Sequence, residues 1–133
     1  MYYLNLKKIK YHLKQKITKF NYSSESFFGG QIDLNLDGNI VTVSTRNFER
    51  KELTVSHTPT ADEWLEFKSS LDILNVWQWS KNYNEKHVLD GASWSLIIHS
   101  HESKLETGGY GKHPPDFDIF LKSINRLLLD DIF

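Results

Sequence analysis

The stretch from Trp77 to Phe120 constrains the fold more than any other part of the chain. It holds three of the four tryptophans, four of the six histidines and the Pro114-Pro115 step. The bulky rings and the turn-forming residues must therefore be accommodated together. Within it, Trp94, Leu96 and Ile98 alternate with Ser93, Ser95 and Ile97. That period of two, in residues suited to a pleated, half-buried backbone, predicts a strand. Asp90-Gly91 before it is a turn signal. His101-Glu102-Ser103-Lys104 then turns the chain, and Leu105 to Tyr110 returns as the second strand of a hairpin. Gly108, Gly109 and Gly111 mark a bulge, a strand end or a close approach of backbone to another group. Pro114-Pro115-Asp116 starts a helix, because proline is tolerated in a first turn and aspartate suits its positive end. Phe117, Phe120, Leu121, Ile124, Leu127 and Leu128 follow at spacings of three and four, one face of an amphipathic helix.

The rest of the chain supplies more strands and a second helix. Residues 1–22 fit either a helical stripe or a strand. The strand is preferred, because Ile9, Tyr11, Leu13 and Ile17 are odd while Lys8, Lys10, His12, Lys14 and Lys16 are even. Ser23 to Ser26 reads as a polar loop. Ile32, Leu34 and Leu36 alternate with polar residues, Asp37-Gly38 follows, and Ile40 to Val43 completes a hairpin. With Asp37 and Gly38 as the two turn residues, Leu34 faces Val41 and Ile32 faces Val43. Leu53 and Val55 form a further short strand. Thr60 with Glu63 is a capping box that opens a helix carrying Trp64, Leu65, Phe67, Leu71 and Leu74. Trp77 and Trp79 alternate with Val76 and Gln78, which predicts a strand there and a polar loop over 81–86. The order of elements implies one α+β domain over residues 1–133, an antiparallel β-sheet with two amphipathic helices packed on one face.

Composition excludes several classes of function. With 133 residues, 39% apolar and 14% aromatic, the chain is long and apolar enough to bury a core. It has no cysteine, which removes disulfides, thiol nucleophiles and cysteine-based zinc sites. No apolar run is long enough to span a bilayer, and no continuous apolar leader opens the chain. The expectation is a soluble cytoplasmic protein without a membrane partner. The formal net charge of −1 gives no global field toward nucleic acid. Residues 1–20 do carry Lys7, Lys8, Lys10, Lys14, Lys16 and Lys19 without an acid, which a solvated sheet edge explains as well as a phosphate-binding face does.

Three short patterns have a precedent. They are W-x-x-x-Y (Trp79 to Tyr83), D-G-x-x-W (Asp90, Gly91, Trp94) and G-x-G-x-x-P-x-x-F (Gly109, Gly111, Pro114, Phe117). Together with Phe28-Gly29-Gly30 and the Asp37-Gly38 hairpin, they resemble a module of small bacterial proteins, some of them proposed as immunity proteins of polymorphic or contact-dependent toxins. Where that module has a polar residue such as asparagine before the proline, this chain has Lys112-His113. The resemblance implies a non-enzymatic protein that binds and neutralises a cognate toxin, without a cofactor or catalytic residues. The loops around Tyr83, His99 to Glu102 and Gly109 to His113 would form its binding end.

Chemistry-bearing residues are few. Trp79, Tyr83 and Tyr110 border polar loops and are candidate anchors for a partner, while Trp64 and Trp94 lie in apolar periods and belong to the core. His99, His101, Glu102 and His113 complete the candidate partner-binding set. The alternative is a small metal-dependent enzyme, since His99 and His101 share one strand face and His113 on the next loop would complete three imidazoles for zinc. A further alternative is a nucleic-acid binder acting through the N-terminal lysines. No G-x-S-x-G elbow supports a serine nucleophile, and the glycine cluster lacks the Lys-Ser/Thr of a phosphate loop.

Overall fold

The computed structural model describes residues 16–26, 30–49, 51–85 and 91–133. Among these residues seven strands form one sheet: β1 (Ile17–Glu25), β2 (Gln31–Asp37), β3 (Ile40–Arg46), β4 (Glu52–His57), β5 (Asn82–Asn84), β6 (Ser93–Ser100) and β7 (Lys104–Tyr110). Their spatial order is β4-β3-β2-β1-β6-β7-β5, antiparallel throughout except for β5, which runs parallel to β7. Among the described residues two helices, α1 (Ala61–Ile73) and α2 (Phe117–Leu128), complete the α+β fold.

Alternation along the strands divides the sheet into two faces. The rows Val55–Val43–Leu34–Tyr22–Leu96–Thr107 and Val41–Leu36 with Phe20–Ile98–Leu105 point inward. The outer face is a lattice of small polar side chains. Ser23 bonds Ser95 at 3.0 Å, Thr42 bonds Ser56 at 3.0 Å and Ser44 bonds Thr54 at 3.3 Å. The helices dock on the inner face through aromatic contacts. Phe67 of α1 lies 5.2 Å from Phe20 and 6.4 Å from Phe120 of α2. Helix α1 starts as its sequence demands, with the Thr60 hydroxyl accepting from Glu63 N at 3.2 Å and Glu63 Oε1 accepting from Thr60 N at 3.1 Å.

Four local readings are corrected. The β2–β3 turn is centred on Gly38 and Asn39, so Leu34 faces Val43 and Leu36 faces Val41. Gly38 then occupies the first central position at φ 61°, which glycine tolerates and other residues resist. The slip is two residues in register, so every side chain keeps its face. Ser23 and Ser24 lie inside β1, because that strand is paired on both sides and the ladders outweigh local polarity. Val76–Gln78 is a 3-10 turn after a left-handed Asn75, where a strand was expected. The expected polar loop over 81–86 contains β5 instead. The odd-numbered apolar phase of the N-terminal segment holds at Ile17 and then breaks. A register irregularity between Ile17 and Lys19 passes the inward face to Phe20 and Tyr22. The strand reading is met over Ile17–Glu25, and residues 1–15 lie outside the described residues, as do Phe27 to Gly29 and Asp90.

The glycines of β7 are contact sites. A Cβ on Gly109 would stand 1.7 Å from the carbonyl oxygen of Tyr83, and one on Gly108 would stand 2.6 Å from that of Trp94. No side chain fits where β5 crosses β7. Gly109→Ala is expected to force β5 off the sheet and cost more than about 3 kcal/mol; a urea titration against the parent protein measures it.

Candidate functional site

The sequence-predicted partner residues fall into two separate groups. The first surrounds Trp94 at the β5 side of the sheet. Trp79 is half-buried, its ring 5.8 Å from Phe117 and 5.5 Å from Phe120. Tyr83 stacks toward Trp94 at 6.1 Å, and its hydroxyl accepts from Ser80 N at 2.8 Å. His113 is layered on Trp94 at 5.3 Å and on Phe117 at 4.7 Å. The Trp94 indole donates to Lys112 O at 2.8 Å, which holds the 111–115 loop over the ring. Tyr110 lies on the opposite face of β7, across from Ser93. The β5 side is therefore built mainly of rings that pack on one another and leave edges at the surface.

The second group sits at the β6–β7 hairpin. His99 Nε2 lies 3.0 Å from Glu106 Oε1 on the outer face. His101 and Glu102 form the exposed tip of a turn closed by Ser100 N to Ser103 O at 2.8 Å. The three-histidine reading fails on this placement. His113 contacts Trp94 on the inner face, whereas His99 lies five residues along β6, roughly 17 Å away, and points outward. Among the described residues no group of three or more His, Asp or Glu side chains comes close enough to hold a metal. Asp116 precedes α2 in a left-handed conformation without a side-chain capping bond, and Asp118 lies in the helix's first turn.

A third feature was not foreseen. The helices leave the inner face open near β4, and a groove of about 670 Å³ lies there. Its floor is Ile32, Val43, Val55 and Leu53. Asp130, Asp131 and Ile132 form one wall, and the β3–β4 turn with Arg46 and Lys51 forms the other. The first wall is held by one side chain: Asn125 Oδ1 accepts from Ile132 N at 3.0 Å and from Phe133 N at 2.8 Å, while its amide donates to Phe133 O at 2.9 Å. Phe133 then packs edge-on to Tyr22 at 5.8 Å. Leu53 is 62% exposed, an unusual state for a leucine on an inward-facing strand position. The period-2 pattern of Leu53 and Val55 was legible in the sequence; that no helix would reach them was not.

No family model, curated protein or solved structure matches this chain. Among the described residues no helix is long and apolar enough to cross a membrane.

Burial between two rings holds the His113 imidazole below its ordinary pKa of 6.5. The unfolded chain therefore takes up this proton first, so the stacked arrangement is complete above that value and weakens as pH falls through the lowered one. The melting temperature is expected to drop between pH 7.5 and 5, and less steeply in His113→Phe; thermal unfolding of both proteins across that range checks the difference.

Proposed function

We propose that the chain is a non-enzymatic protein-binding module of the immunity type, which occludes a cognate bacterial toxin in the cytoplasm. The observation that carries this reading is the groove beside β4. An apolar floor, an exposed leucine and flanking charged walls make a surface suited to a protein partner. The motifs around Trp79, Tyr83, Trp94 and Phe117 supply the link to immunity proteins, and the close packing of these rings gives those motif positions a role in holding the fold. The acidic and aromatic surface then remains free to vary with the partner.

Such a protein works by occupancy. It needs a rigid scaffold, which the paired sheet provides, and an interface large enough to exclude substrate from the toxin. Mixing the purified protein with the toxin domain encoded by the neighbouring gene is expected to give a one-to-one complex on size-exclusion chromatography and to abolish toxin activity at equimolar ratio. Leu53→Asp is expected to weaken the complex at least tenfold without loss of fold, since the side chain is already largely in water. Full toxin activity in the presence of excess protein refutes the proposal.

A further inference from the structure

Among the described residues strand β4 is an edge without the usual protection. Among the described residues it pairs with β3 alone. Its sequence, ELTVSH, contains no lysine, proline or glycine, and its register against β3 has no bulge. The opposite edge is handled differently: β5 is three residues long and its chain continues into a bond from Glu85 N to Tyr110 O. The direction of the free backbone groups on β4 follows from the ladder. Asn47 N bonds Lys51 O at 3.2 Å, which makes that pair a hydrogen-bonded one. Alternation then gives bonded pairs at Thr45–Leu53 and Val43–Val55, and leaves the N–H and C=O of Glu52, Thr54 and Ser56 pointing away from the sheet.

The charges beside this edge are unbalanced. Glu52, Asp130 and Asp131 line the groove, and none has an ion-pair partner among the described residues. Among the described residues the cations nearby are Lys51, paired with Glu49 at 3.6 Å, and Arg46, which donates to the neutral Gln31 side-chain oxygen. We propose that an extended, basic segment of the partner protein adds to β4 as an eighth strand, with alternate apolar side chains on Leu53 and Val55 and its cations against Asp130, Asp131 and Glu52. This rests on the binding-protein reading and names its mode. Main-chain bonds to Thr54 and Ser56 would give affinity, and the groove and its acids would give selectivity. A second copy of this chain fits less well. Its β4 carries no lysine or arginine, its His57 is bonded to its own Glu63 at 2.9 Å, and pairing would bring two sets of unpaired carboxylates together.

The test is a displayed library of random dodecapeptides panned on the full chain, with three variants for comparison. Thr54→Pro removes an outward N–H while sparing the β3 ladder, so the protein folds and the added strand loses a bond. Asp130→Asn with Asp131→Asn removes the acid wall, and Leu53→Lys blocks the floor; circular dichroism confirms that each is folded. The expected result is enrichment of peptides with alternating apolar residues and net positive charge. Their affinity should fall at least tenfold in Thr54→Pro and in the Asp130/Asp131 variant, and with rising salt. No enrichment, enrichment of acidic or non-alternating peptides, or binding that survives Thr54→Pro overturns the proposal. So does a dimer in the ultracentrifuge that dissolves on Thr54→Pro, which assigns the edge to a second copy. The two readings separate cleanly. A toxin complex indifferent to Thr54→Pro sinks strand addition and leaves the immunity reading, whereas peptide capture without any toxin complex does the reverse.

Discussion

The contact on which the structure depends is the line of three phenylalanines, Phe20, Phe67 and Phe120. Each is essentially buried, with at most 2% of its surface exposed, and they come from the central strand, α1 and α2. Neither helix has a reason to lie on the sheet except its apolar stripe, and the stripes meet at these rings. Burying a phenylalanine contributes about 1.5–3 kcal/mol, and ring pairs such as these, at 5.2 and 6.4 Å, add about 0.5–1.5 kcal/mol more. The exposed ion pair between Glu66 and Arg126, 3.2 Å across the two helices, is worth little beside that. Helix placement is therefore governed by ring packing over β1.

That placement has a consequence at each edge of the sheet. On the β5 side, rings fill the space: Trp79, Tyr83, Trp94, His113 and Phe117 touch in a continuous cluster, and Gly109 lets β5 close against β7. On the β4 side α1 reaches His57 through Glu63 but leaves Leu53 largely in water. The inner face ends in Ile32, Val43, Val55 and Leu53, bordered by the segment that Asn125 holds in place. Among the described residues one edge is sealed by aromatic volume and the other is left with unpaired backbone and apolar side chains.

The strands around Leu34, Val43, Leu96 and Leu105 were readable because alternation is a local property, and one face buried is enough to write it into the sequence. The capping box at Thr60 and the amphipathic stripe of α2 were readable for the same reason. The misreadings lie where a distant partner decided the outcome. Ser23 and Ser24 look like a loop in isolation and become strand because β2 and β6 flank them. Tyr83 looks like loop until Gly109 offers a backbone without a Cβ to pair with.

The candidate site divides along the same line. Its components were visible one at a time: a short apolar strand at Leu53 and Val55, and histidines near a hairpin. The sequence by itself determined the class of fold, the inward face of most strands and the capped start of α1, since these follow from periods of two and 3.6 and from a cap a few residues long. Only the tertiary structure decided that His113 stands apart from His99, that Asp130 and Asp131 border β4, and that β4 is an edge. Those are relations between residues far apart in the chain, set by the order of strands and by where helices run out of apolar surface to cover.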